Sequence, residues 1–126
     1  MRHVVLIAAA AAAAAAVLPL SAASAAISVG TFLTRADALK AQGIGAMLSP
    51  EFAALRDEAK AATRQLRAED EARRAAGKRP IACVPEGSSV GIMKMLDGLN
   101  ALSPAEKKQP LKDGYARVLA KRYPCG

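Results

Sequence analysis

The feature that most constrains the fold is a single pair of cysteines, Cys83 and Cys125, in the last third of the chain. A disulfide between them would close a loop of about 43 residues, for which the chain-entropy estimate is about 4 kcal/mol. That is a large share of the net stability of a small domain. Two cysteines without a nearby histidine make a poor zinc site, and a redox pair would favour Cys-x-x-Cys spacing. The sequence therefore predicts a structural disulfide if the protein is oxidised.

The N-terminus has the organisation of a cleavable secretory signal peptide. Residues 1–3 are short and basic, residues 4–18 are apolar and mostly alanine, and small residues lead up to a cleavage site between Ala25 and Ala26. The alternative is a transmembrane anchor, but the apolar run of 15 residues is shorter than the ~20 that a bilayer requires, and Pro19 interrupts it. We predict a signal peptide over residues 1–25, a single mature domain over residues 26–126 and a periplasmic location, where the cysteines should pair.

The mature domain is basic. The whole chain has a formal charge of +7, and removal of Arg2 with the signal peptide leaves +6. This charge suits an acidic partner, an anionic lipid surface or simple solubility, and does not choose among them.

Helical spacing of apolar residues runs through the domain, and no strand-like alternation occurs, so we predict an all-α fold of four main helices. Residues 28–42 predict the first helix, capped by Ser28 or by Thr34 and stopped by Gly43. The apolar residues of the connector 43–48 are expected to lie under the domain. Ser49 and Pro50 then begin a long helix that meets no breaker before Gly77.

The long helix carries two patterns. Its apolar stripe stops near Leu66, so we expect its first half to pack and its second half to project; Glu69–Arg73 and Asp70–Arg74 are predicted ion pairs on that second half. Its other pattern is a row of cations at helical spacing, formed by Arg56, Lys60, Arg64 and Arg67. A solvated helix face is one interpretation of the row, and a contact surface for an acidic partner is the other.

The C-terminal module, residues 83–125, contains two further helices. A turn over residues 85–87 precedes the third helix, which Ser88 or Ser89 is expected to cap. Ser103 begins another helical segment with a capping box, and Pro110 limits that segment to about one turn. The last helix runs over residues 110–123. A Cys83–Cys125 bridge would make the third and last helices antiparallel and join their outer ends.

Three segments toward the two ends of the mature chain carry recognisable motifs: Thr31-Phe32-Leu33-Thr34 with Asp37 and Leu39, Cys83-Val84-Pro85-Glu86-Gly87 with Gly91, and Tyr123-Pro124-Cys125. These segments resemble the Rap/Tai family of exported immunity proteins. The long helix between these segments departs from the family, as do Arg35 and Ala36. The resemblance implies binding to a peptidoglycan-cleaving toxin delivered by type VI secretion, and it implies no catalytic residues.

Composition argues against catalysis and nucleic-acid binding. The mature chain has no histidine, which removes the usual general base and zinc ligand, and its carboxylates lie among arginines where they should ionise. The mature aromatic residues follow the helical core spacing instead of the basic residues, and no nucleic-acid motif occurs. Membrane binding through the basic helix would need a larger apolar face beyond Leu66.

The sequence therefore predicts a non-enzymatic, cofactor-free and metal-free protein-binding domain with no membrane span after cleavage. The leading hypothesis is an immunity-like inhibitor of a periplasmic cell-wall hydrolase, with Arg56, Lys60, Arg64 and Arg67 as the candidate contacts. The alternative is a periplasmic chaperone or stress protein, for which Met47, Met93 and Met95 are candidate apolar surface. A homodimer is compatible with either hypothesis.

Overall fold

The structure, a computed structural model, describes residues 26–126. The predicted signal peptide, residues 1–25, lies outside the described residues, and the predicted Ala25–Ala26 cleavage site is at their edge. The predicted all-α class is confirmed. The elements are α1 (Val29–Ala41), a 3₁₀ helix (Ile44–Leu48), α2 (Pro50–Ala75), α3 (Ile92–Asn100), the single-turn α4 (Pro104–Lys107) and α5 (Leu111–Arg122). Within residues 26–126, no helix combines the length and hydropathy that crossing a bilayer requires.

Helix α1 supplies one wall of the core. Ser28 is its cap, because the Ser28 side chain accepts a hydrogen bond from the Thr31 amide. The Thr34 hydroxyl instead donates to the carbonyl of Gly30 within the helix. Gly43 ends the segment at a φ of 77°, as the sequence predicts. The buried face of α1 consists of Val29, Phe32, Leu33, Ala36 and Leu39.

The connector after α1 does not lie under the domain as expected. It forms the 3₁₀ helix, in which residues three apart share a face. Ala46 faces the core, whereas Ile44 and Leu48 are 88% and 93% exposed. The prediction was wrong because three residues per turn leave only one narrow face against the domain.

Helix α2 begins and ends as predicted. The Ser49 hydroxyl accepts from the Phe52 amide, and Pro50 occupies the first turn. At the other end, Gly77 has a φ of 70°, and the amides of Gly77 and Lys78 donate to the carbonyls of Arg74 and Arg73 in a Schellman arrangement. Leu55, Ala62 and Leu66 are its buried residues, so the described helix packs mainly through its first two thirds.

Helix α3 starts later than expected, and neither serine caps it. The turn at residues 85–87 forms, with the Ser88 amide bonded to the Pro85 carbonyl and Gly87 at a φ of 78°. The chain then stays non-helical through Gly91, and no described side chain caps α3. Ser88 and Ser89 instead line a groove between α2 and α5.

Helices α3 and α5 are antiparallel, as predicted, and they pack very closely. A Cβ built on Gly98 would lie 2.7 Å from Cγ1 of Val118, while one on Gly114 would meet Leu99 and Leu102. Later positions of α3 therefore contact earlier positions of α5, as antiparallel packing requires. Leu99 and Leu111 are among the most deeply buried side chains of the described core.

The predicted Cys83–Cys125 disulfide is confirmed, with the two Cα atoms 5.0 Å apart. The Cys83 amide also donates to the Tyr123 carbonyl at 2.9 Å. The bridge does not join the outer ends of α3 and α5 directly, because residues 84–91 separate Cys83 from α3. It fastens the segment that leaves α2 to the C-terminal end of α5.

Candidate functional site

The predicted basic row lies along one exposed side of α2. Arg56, Lys60 and Arg64 follow each other one helical turn apart, and Arg67 continues the row. A shallow depression of about 310 Å³ is lined by these four residues together with Ala59 and Thr63. The structure therefore brings all four predicted contact residues onto one surface.

The cations of this row have no carboxylate partner in the described part of the chain, unlike other charges on α2. Arg74 pairs with Asp70 at 3.1 Å, and Arg35 reaches Glu51 at 3.5 Å, yet none of the ion pairs among residues 26–126 includes a member of the row. Four like charges at three- and four-residue spacing repel one another and lower helix stability. An acidic surface placed against the row would relieve that repulsion.

One predicted ion pair on α2 is wrong. Glu69 does not bind Arg73; it binds Lys112 from the first turn of α5, and this hydrogen bond raises the pKa of the Lys112 ammonium. Arg73 turns the other way and donates from Nε to the Arg79 carbonyl at 3.0 Å. Tertiary neighbours thus replace the local pair, and the predicted Asp70–Arg74 pair is confirmed.

A second depression, which the sequence did not reveal, lies beside the row. This groove, about 530 Å³ in volume, is formed by the second half of α2, the segment after Pro80, the approach to α3 and one side of α5. Its size falls in the range of ligand-binding pockets, about 300–1,000 Å³. Its apolar lining consists of Leu66, Ile81, Ala82, Val84, Val90, Ile92, Met95, Tyr115 and Leu119.

Tyr115 is the most informative residue of the groove. The residue is 7% exposed, and its ring contacts that of Phe32 edge-to-face with centroids 6.4 Å apart. Burial raises the pKa of the Tyr115 hydroxyl to about 12, so the group remains a hydrogen-bond donor at neutral pH. No hydrogen bond among the described residues uses this hydroxyl. It also keeps some access to solvent, because no fully buried side-chain oxygen or nitrogen in that range lacks a partner.

The row and the groove form one continuous surface. Thr63 and Arg67 line both depressions, since they lie on α2 where the two meet. Asp70, Glu71 and Arg74 complete the charged rim of the groove, and Asp70 is held by Arg74 and by the Ile81 amide at 2.8 Å. The surface as a whole is basic at the Arg56 end and apolar at the other.

Val84 and Ile92, on either side of the turn at residues 85–87, are the two residues from which the sequence could have indicated the groove. Both are apolar, and both remain exposed in the structure. From the sequence alone, both residues could equally have belonged to the core, because the sequence does not show that residues 84–91 cross the surface between α2 and α3.

Comparison of the chain with family models, with curated proteins and with solved structures found no match.

Proposed function

We propose that this protein is an exported, non-enzymatic domain that binds another protein in the periplasm. The observation that carries the proposal is the basic row on α2, whose four cations have no carboxylate partner among the described residues. Such a row attracts an acidic surface and speeds encounter with it. The mature chain also lacks the histidine on which most acid–base and metal chemistry depends.

The partner that we propose is a peptidoglycan-cleaving enzyme, which this domain inhibits in the manner of an immunity protein. Support comes from the resemblance of the Phe32 segment and of the segments around Cys83 and Cys125 to exported immunity proteins. A compact, disulfide-fastened domain also suits the role, because a rigid surface loses little conformational entropy on binding.

Affinity capture tests this proposal. The protein is immobilised and exposed to a periplasmic extract of its own cells and of competing cells, and the eluate is assayed for peptidoglycan cleavage. We expect one stoichiometric partner whose cleavage activity is suppressed by the added protein. An eluate without any peptidoglycan-cleaving activity would contradict the hydrolase partner.

The second candidate is a periplasmic chaperone, and exposed apolar residues favour it. Ile44, Met47 and Leu48 on the 3₁₀ helix and Ile92 and Met93 on α3 are largely exposed. Flexible methionines adapt to varied client surfaces. A chaperone would bind several unrelated unfolded proteins weakly and suppress their aggregation, whereas an inhibitor would leave their aggregation unchanged.

A further inference from the structure

The continuity of the row and the groove has a consequence for the kind of partner that fits. From Arg56 to Arg67 the row extends about 16 Å along α2, and the groove continues to Arg74 on the same helix. A ligand that used both would be elongated, with carboxylates at one part and apolar groups at another. A small amphiphile with a single anionic head could reach only the cations nearest the groove.

The groove has room for several apolar side chains. An apolar cavity on the order of 150 Å³ holds one benzene, and the groove is about 530 Å³. Its apolar lining comes from four separate parts of the chain, and Ile92 at its edge is 68% exposed. Covering these side chains removes apolar surface from water, which is the favourable term that the charged row does not supply.

The Tyr115 hydroxyl indicates that the occupant of the groove also has a polar acceptor. Tyr115 is more than nine-tenths buried as a residue and lines the groove, and its hydroxyl forms no hydrogen bond within residues 26–126. The hydroxyl reaches solvent in the free protein, so an occupant of the groove would displace the water that it can bind there. A backbone carbonyl or a carboxylate on the occupant would accept its proton. A purely hydrocarbon occupant would leave it without a partner, at a cost in binding free energy.

We infer that the groove and the basic row together bind one acidic, amphipathic segment of a protein partner. Its apolar side chains enter the groove, an acceptor on it binds the Tyr115 hydroxyl, and its carboxylates face Arg56, Lys60, Arg64 and Arg67. This inference rests on the proposed protein-binding function and adds the chemistry of the partner segment. It also extends the binding surface beyond the row that the sequence predicts.

A synthetic helical peptide of about 18 residues, long enough to follow α2 from Arg56 to Arg74, serves as the probe. It carries leucines on one face and glutamates on the adjoining face, and a peptide of the same composition in scrambled order is its control. Binding to the protein, expressed from its full 126-residue sequence, is measured by fluorescence anisotropy. We expect the ordered peptide to bind and to shift the backbone amide NMR signals of Thr63, Arg67, Val84 and Ile92.

Two pairs of matched variants test the groove itself. Tyr115→Phe removes the hydroxyl and should weaken peptide binding about threefold to tenfold, the effect of one hydrogen bond. Tyr123→Phe, outside the groove, should leave it unchanged. Ile92→Ser should weaken binding about tenfold through lost apolar contact, while Ile44→Ser removes an even more exposed isoleucine from the 3₁₀ helix and should have no effect. All four side-chain changes should leave the melting temperature nearly unaltered.

Several outcomes would overturn the inference. Peptide binding that depends on Arg56 and Arg64 but not on Tyr115 or Ile92 would mean that the row acts alone. Laurate that shifts the groove signals while the peptide does not would indicate a small-amphiphile site, and binding only to anionic phospholipid vesicles would indicate a membrane surface. Capture of a hydrolase whose affinity is insensitive to Tyr115→Phe and Ile92→Ser would leave the proposed function standing and refute this inference. Peptide binding as expected, without capture of a hydrolase, would support this inference and contradict the proposed hydrolase partner.

Discussion

At the scale of single residues, Asp70 connects α2 to the segment that follows it. One carboxylate oxygen accepts from the Ile81 amide at 2.8 Å, and the other pairs with Arg74 at 3.1 Å. Ile81 is half-buried and lines the groove, so its amide has limited access to water. A side chain on the exposed half of α2 therefore holds one wall of the candidate site in place.

Asp70→Ala tests this role. The substitution leaves the Ile81 amide without its acceptor, and we expect it to lower the free energy of unfolding by about 1–3 kcal/mol. Glu71→Ala is the matched control, because Glu71 is the adjacent carboxylate and forms no ion pair among the described residues. Urea denaturation measures both variants, and equal midpoints would contradict a structural role for Asp70.

Gly114 shows how closely three helices approach. A Cβ at this position would overlap the side chain of Val29 from α1 and lie 3.0 Å from Cδ2 of Leu99 in α3. Both neighbours are fully buried, so neither can move without disturbing the core. The missing side chain of Gly114 is what allows α1 and α3 to pack on α5.

We expect Gly114→Ala to destabilise the protein. Overpacking costs about 1–3 kcal/mol, and the better helix propensity of alanine offsets about 1 kcal/mol of it, which leaves a net loss on the order of 1 kcal/mol. Thermal unfolding provides the measurement. Gly45→Ala, with no atom near the added Cβ, is the control, and Val29→Ala should partly compensate Gly114→Ala in a double-mutant cycle. Additivity in that cycle would refute the overlap.

At the scale of elements, α2 divides into a packed part and a part tied down by single polar contacts. Leu55, Ala62 and Leu66 are buried, whereas residues 71–75 are exposed in the described helix. The exposed turns are held by the Glu69–Lys112 pair, by Asp70 and by the hydrogen bond from Arg73 to Arg79. Few buried apolar contacts mean low local stability.

Amide hydrogen exchange should therefore differ along α2. We expect slow exchange between Leu55 and Leu66 and fast exchange from about Glu69 to Ala76, because the distal turns can open without exposing the core. The helix provides its own internal control. Uniform protection from Leu55 to Ala76 would show that the distal turns are as stable as the packed ones.

The helix boundaries that could be predicted from the sequence are those that local chemistry decides. The caps at Ser28, Ser49 and Ser103 and the stops at Gly43 and Gly77 need only the residues on either side. The start of α3 could not be predicted in this way, because Ser88 and Ser89 have capping side chains but lie in a segment that crosses the surface before the helix begins. The burial of Ile44 and Leu48 was wrongly predicted for a similar reason, since apolar character does not determine which face of a short 3₁₀ helix packs against the domain.

The candidate site was half predictable. The basic row lies on one helix, so its spacing alone puts its members on one side. The groove is built from α2, residues 81–84, the approach to α3 and α5, and sequence spacing says nothing about their arrangement. The Tyr115 hydroxyl was hidden for the same reason, because helical periodicity marks Tyr115 only as a core residue.

At the scale of the whole molecule, a disulfide and a pair of backbone hydrogen bonds connect segments that are distant in sequence. The Cys83–Cys125 bridge joins the segment after α2 to the end of α5. At the opposite end of α5, the Leu111 amide donates to the Ile27 carbonyl and the Val29 amide donates to the Gln109 carbonyl, each at 3.0 Å. Helix α5 is thus fixed at both ends while α1, α2 and α3 pack against it.

Loss of the disulfide should weaken the whole domain. We expect Cys83→Ser to lower the free energy of unfolding by ~2–5 kcal/mol, the usual range for a small secreted domain. The double variant with Cys125→Ser should behave similarly, because either change alone already removes the bridge. Denaturation curves provide the comparison, with thiol titration of the native protein as a control. Two reactive thiols in the native protein would contradict the Cys83–Cys125 bridge.

The central claim is that the row on α2 steers an acidic partner onto this protein. The most direct test is the association rate constant with the captured hydrolase, measured for the unaltered protein and for Arg56→Glu/Arg64→Glu. Lys40→Glu/Lys108→Glu changes the net charge equally at exposed positions outside both depressions. We predict association slowed about tenfold or more for the row variant, because local charges act mainly on encounter. The control should change far less, and both melting temperatures should stay close to that of the unaltered protein. Equal rates for the two variants would contradict the claim.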